Sequence, residues 1–258
     1  MMKKLTQTLF ISALSLGVAA QVMAGEISDR VEKTKTLLIG TEGTYAPFTF
    51  HDDSGKLTGF DVEVITEVAK RLGLTPEFKE TQWDSMYAGL NAKRFDIIAN
   101  QTTPTPERLK KYIFSTPYNY SSSVVVVKQD NDSIQSFADL KGKKAAQSLT
   151  SNFGKAAKEA GAEIIVADGL APSLKLITQG RVETTVNDQL AVLDYFQKQP
   201  HSGLKIAFRN NERIPTAFAV IKDEEPLVEK LNQGLEAIRK DGTLKQISLK
   251  WFGDDVTQ

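Results

Sequence analysis

The chain has 258 residues, 32 Lys and Arg against 32 Asp and Glu, no cysteine and 41% hydrophobic residues. Without cysteine it has no disulfide framework and no thiol nucleophile. The even charge balance gives no electrostatic ground for nucleic acid or an anionic membrane surface, and the length allows one large domain or two of about 100 residues each.

Residues 1–24 read as a cleavable export signal. Lys3 and Lys4 form a basic start, Leu9 to Ala20 is an apolar run too short to span a bilayer, and Val22-Met23-Ala24 offers the small residues a signal peptidase reads. The mature chain is expected to begin near Gly25 with 30 basic against 32 acidic residues once Lys3 and Lys4 are gone. No cysteine stands at the cleavage point to carry a lipid anchor, and no later run has the apolar length of a membrane helix.

Alternating elements follow. Thr36 to Thr41 reads as an apolar strand, and Asp52-Asp53-Ser54-Gly55 as the turn of a hairpin flanked by Phe48–His51 and Lys56–Thr58. Val62, Ile65, Val68, Ala69 and Leu72 recur at helical spacing up to Gly73. Leu74 to Phe78 is strand-like, Asp84 to Ala92 helical, and Phe95 to Ala99 strand-like. Strands separated by helices of this length imply parallel pairing with right-handed crossovers.

After that strand comes Asn100-Gln101-Thr102-Thr103, four side chains able to hydrogen-bond, and then Thr105-Pro106-Glu107-Arg108. Thr105 suits an N-cap, Pro106 the first helical position, and Glu107 the positive end of the dipole. Arg108 then lies beside amides that lack intrahelical partners, a setting suited to a small carboxylate.

The polar Ser121-Ser122-Ser123 ahead of four valines marks a break, and a second set of elements begins there. Strands are expected at 144–147, 164–166, 184–186 and 216–222, and helices near 151–160, 172–179, 188–198, 226–239 and 243–251. Leu90 to Asn100 can be laid on Ile177 to Asn187: helix end, arginine, apolar residue, acid, strand, asparagine. This weak repeat implies two equivalent strand ends in two sheets. Ligands of open α/β sheets bind at such carboxyl ends, so Arg108 and Asp188 are expected to face each other across one cleft. A cation and an anion so placed suit the carboxylate and ammonium of a free amino acid. Tyr45, Phe48, Phe60 and Trp83 are candidates for its aromatic wall.

Ordered runs along nearly the whole mature chain resemble the polar amino-acid-binding proteins of bacterial ABC importers. They are 40–48 (GTEGTYAPF), 57–62 (LTGFDV), 105–108 (TPER), 114–118 (FSTPY), 139–143 (DLKGK) and 241–243 (DGT). Residues 82–86 (QWDSM) and 250–257 (KWFGDDVT) are most similar to cystine-binding members. The resemblance implies an α/β fold of two lobes, each a central sheet flanked by helices, joined by two hinge strands. The expected lobes are 25–120 with 215–258, and 121–214. It places the carboxylate on Arg108 and on the backbone and hydroxyl of Thr150, and the ammonium on Asp188 and Thr103. It also places Gln101 at the ligand, with Tyr45 and Trp83 around the side chain; Phe60, Asn100 and Ser148 are further candidate contacts. Histidine- and lysine-binding relatives carry glycine where Ser148 stands and aspartate where Glu42 stands, so a distal ammonium is less firmly expected. The implied function is capture of a polar L-amino acid, cystine first, in the periplasm by a monomer that uses no cofactor or metal. Delivery would be to a membrane permease. Glutamine or a basic amino acid, a dehydratase-like enzyme and a signalling receptor subunit are the alternatives. Against an enzyme, His51 and His201 lie in polar turns and Asp52-Asp53 and Asp254-Asp255 in a turn and a tail, and no attached domain is expected after Gln258.

Overall fold

The computed structural model describes residues 25–258; the expected export signal at 1–24 lies outside the described residues. Two five-stranded sheets share one plan. In the first, Thr36–Thr41 sits between the parallel strands Thr75–Glu80 and Ile97–Ile98, and Ala219–Ile221 and Tyr112–Phe114 complete it antiparallel. In the second, Lys144–Gln147 sits between the parallel strands Glu163–Val166 and Thr184–Asp188, and Ser123–Lys128 and Leu204–Arg209 complete it antiparallel. Asn119–Ser121 and Ile214–Thr216 pair antiparallel where the chain passes between the sheets.

The burial pattern explains these assignments. Val124 to Val127 are fully buried because their strand is paired on both edges and covered on both faces. Helix Phe60–Arg71 presents Val64, Ile65 and Val68 to the core and packs against Glu225–Lys240, which supplies Leu227, Leu231 and Leu235. Helix starts lie within about two residues of those expected, as at Asn152–Glu159 and Gln189–Lys198. Unforeseen elements include helix Glu26–Thr34, whose apolar face is only Ile27 and Val31, edge strand Tyr112–Phe114, and strand Leu204–Arg209, whose lysine and arginine mask its apolar run; the strand expected at 216–222 is two, Ile214–Thr216 and Ala219–Ile221.

The repeat has a structural counterpart. Ile97–Ile98 and Thr184–Asp188 hold the same place in their sheets. The acid ahead of each caps an amide of the neighbouring strand: Leu38 N donates to Asp96 at 2.7 Å, and Lys144 N donates to Glu183 at 2.8 Å. Their carboxyl ends carry Asn100-Gln101 and Asn187-Asp188, and all four residues line one cavity.

Phe95 fills the space left by two glycines. A methyl group at Gly40 would stand 2.5 Å from its ring, and one at Gly89 2.7 Å. Gly40→Ala is therefore expected to cost about 1–3 kcal/mol by overpacking, read as a lower urea midpoint with an unchanged slope.

Candidate functional site

Between the two sheets lies a cavity of about 620 Å³, mouth included. Seven of the ten expected site residues line it: Tyr45, Trp83, Asn100, Gln101, Thr103, Ser148 and Asp188. Asn100 donates to Glu42 Oε2 at 2.5 Å and accepts the Glu42 amide at 2.8 Å. Gln101 takes a left-handed backbone, φ 48°, which turns its amide and side chain onto the two oxygens of Asp61, both at 2.7 Å. Its carbonyl oxygen accepts Thr216 Oγ1 at 3.0 Å, so a cavity residue is tied to the crossing strands.

Asp188 has a second task that the sequence did not reveal. Its Oδ1 caps helix Gln189–Lys198, accepting Leu190 N at 2.7 Å, and accepts Ser121 Oγ at 2.9 Å. The residue is 4% exposed. Tyr45 crosses between the sheets and donates to Asn187 Oδ1 at 2.7 Å.

Arg108 and Thr150 depart from a single shared cleft. They line an adjoining groove that shares Ser148, Ser151 and Asn152 with the cavity. Helix Pro106–Leu109, capped by Thr105, brings Arg108 between Trp83 and Tyr87, with its guanidinium carbon 5.2 Å and 5.0 Å from their ring centres. Its Nη1 donates to the Thr103 carbonyl at 3.0 Å and its Nη2 to the Thr150 carbonyl at 3.1 Å. It is 8% exposed and, among the described residues, makes no ion pair. The Thr150 amide and hydroxyl, expected to serve a ligand carboxylate, are donated to Asp84. Phe60 is a correction: it is fully buried in the first sheet's core against Phe252 and Tyr118, because the first turn of its helix points inward. Phe48, weighed for the same wall, is equally buried.

Gln147, Asn187, Phe153, Leu170 and Ser173 are among the further wall residues; of these five only Asn187 had a signal, its match to Asn100 in the repeat. Trp83 Nε1 and Gln147 Nε2 are buried without a hydrogen-bond partner. Two idle donors beside one cavity are a cost unless a ligand uses them.

The cavity is acidic. Burial pushes the carboxyl of Glu42 up to about 7, that of Asp61 up to about 7 and that of Asp188 up to about 6. Burial also lowers the Arg108 guanidinium. One buried cation without an anion and buried acids without a cation fit a solute that carries both charges.

The profile of the bacterial extracellular solute-binding proteins, family 3, matches residues 37–254. A probable amino-acid ABC transporter-binding protein of Haemophilus influenzae is 68% identical over the full length of both chains. The L-cystine solute receptor of Neisseria gonorrhoeae, unliganded and open, is 48% identical, covers 91% of this chain and 100% of its own, and superposes with a TM-score of 0.60. An ancestral arginine-binding protein bound to arginine is 39% identical, covers 85% and 99%, and scores 0.80. The scores run opposite to the identities.

The raised acids set the pH response of stability. Between about pH 4, where free carboxyls titrate, and about 7, the folded chain holds protons that the unfolded chain has lost. Stability contributed by these groups is full below that window and is lost as pH rises through it. The ligand-free protein is expected to melt higher near pH 5 than near pH 7.5, and Asp61→Asn is expected to flatten the difference in scanning calorimetry.

Proposed function

Because the chain belongs to family 3 of the bacterial extracellular solute-binding proteins, we propose that it captures a free polar L-amino acid, cystine first, and delivers it to the membrane permease of an ABC importer. It does so in the periplasm, once the expected export signal is cleaved from the chain. The observation that carries this reading is the buried guanidinium of Arg108, which has no ion-pair partner among the described residues, near an acidic cavity whose buried Asp188 and half-buried Glu42 have no base among the described residues. A free amino acid supplies both missing charges. Lobes 25–120 with 215–258 and 121–214 would close on it about the paired strands Asn119–Ser121 and Ile214–Thr216.

Arg108 takes the carboxylate with N–H groups not engaged by Thr103 and Thr150. Asp188 takes the ammonium through the oxygen that does not cap the helix. Trp83 and Tyr45 wall the side chain, with Asn100, Gln101, Thr103 and Ser148 as polar contacts. Contacts made only in the closed form provide the differential affinity that draws the lobes together. Cystine leads because the cystine receptor shares more of this chain's sequence, 48% against 39% for the arginine-bound relative. Glu42 keeps a second reading open. An acid on the wall accepts a distal ammonium or guanidinium, so a basic amino acid stands next.

The proposed activity is binding without turnover. His51 sits at the surface beside Glu80, His201 is exposed, and the pairs Asp52-Asp53 and Asp254-Asp255 lie in an exposed turn and near the chain end. A thermal-shift panel of the twenty amino acids plus cystine, after refolding to strip carried-over ligand, tests the reading. No shift with any of them, or sustained product formation, refutes it. Arg108→Ala is expected to weaken amino-acid binding by about a hundredfold or more with near-normal circular dichroism. Affinity measured by calorimetry is also expected to fall with pH below about 6, where Asp188 gains its proton. Asp188→Asn should bind weakly and lose that limb of the pH profile.

A further inference from the structure

We propose that Asp84 is a positioning residue for the captured ligand: its carboxylate latches the second sheet onto the first and thereby sets the carbonyl that holds Arg108. The inference rests on the capture reading above and adds to it a protein anion where a ligand anion was expected.

Three donors from the second sheet's loop converge on this one carboxylate. Leu149 N donates to Oδ2 at 3.0 Å, Thr150 N to Oδ1 at 2.9 Å, and Thr150 Oγ1 to Oδ1 at 2.8 Å. Asp84 is the second residue of helix Trp83–Asn91, so one turn of the first lobe delivers both an aromatic wall of the cavity and this anion. The backbone of Thr150 is thus held on both sides: Asp84 takes its amide, and Arg108 Nη2 donates to its carbonyl at 3.1 Å. That carbonyl and the carbonyl of Thr103 fix the guanidinium plane. A guanidinium has five N–H donors. With two engaged on backbone carbonyls, the remainder are aimed rather than free to rotate.

Asp84 and Thr150 belong to different lobes, so the contact exists only when the lobes are together and favours the closed state. A second tie spans the same groove, Lys155 to Glu107 at 2.6 Å, but both side chains are about half exposed. Water and salt leave such a pair little net effect. The Asp84 contact differs in kind: a carboxylate on two consecutive amides and a hydroxyl is a charge-assisted set with fixed geometry. It also reassigns Thr150. Its amide and hydroxyl serve the latch, and the ligand carboxylate is left to Arg108.

The test measures stopped-flow tryptophan fluorescence with L-cystine and L-arginine as probes, on the parent and on Asp84→Ala, Asp84→Asn and Asp84→Glu. For Asp84→Ala the association rate should hold while dissociation speeds up by about tenfold or more. The ranking of the two probes should not change. Asp84→Asn, which keeps one acceptor oxygen, should fall between, and Asp84→Glu should recover part of the loss. A residue that merely supported the fold would lower the melting point of the ligand-free protein and would not split the two rates. An unchanged dissociation rate overturns the latch. So does tighter binding by Asp84→Ala, which would mean that Asp84 competes with the ligand carboxylate. If the parent binds no amino acid at all, the capture reading falls instead. The latch is then judged by X-ray scattering alone: a larger radius of gyration for Asp84→Ala supports it, and equal radii overturn it.

Discussion

A guanidinium sunk among two aromatic rings and two carbonyls, with no ion-pair partner among the described residues, is the constraint around which this molecule is arranged. Burying a charge is costly unless a counter-charge arrives. The carbonyls of Thr103 and Thr150 offset part of that cost, and they come from opposite lobes. The rest is left for an incoming anion. Across the shared loop 148–152 the imbalance is reversed: Glu42 and Asp188 line the cavity, Asp61 lies behind Gln101, and burial holds their carboxyls above the usual range. Neither side is comfortable alone. A small dipolar solute, as proposed above, would relieve both at once.

The architecture explains why the two imbalances can be so close. Each sheet ends its third parallel strand in an asparagine and a second polar residue, and an acid ahead of that strand pins it to its neighbour. Gln101 is bound to Asp61 on one side and to Thr216 on the other. Any shift at the cavity wall is therefore felt at the crossing strands.

Much of this was legible in the chain itself. The alternation of apolar runs and helical periodicity gave the sheets, and the match of Leu90–Asn100 to Ile177–Asn187 gave their equivalence, because a repeated strand end needs only local pattern. The Thr105-Pro106 start of the Arg108 helix was legible for the same reason: caps are local chemistry. What escaped depended on long-range geometry. Phe60 follows a glycine at a helix start, where a loop aromatic and a core aromatic look alike until the helix is docked. Asp84 meets Thr150 across the groove between lobes, and no spacing in the sequence encodes that meeting. Gln147 ends a strand in a stretch of alanines and lysines and gave no signal at all.

The two sheets differ in one topological respect. The second draws all its strands from one unbroken stretch, 123–209, whereas the first must wait for Ala219–Ile221 to fill the gap between Ile97–Ile98 and Tyr112–Phe114. A chain that emerges amino end first can thus finish its inner half before its outer half has a continuous hydrogen-bonded ladder. Until the last strand emerges, the short edge at Ile97–Ile98 stands open to whatever strand comes by. The half that holds Arg108 is the last to become whole.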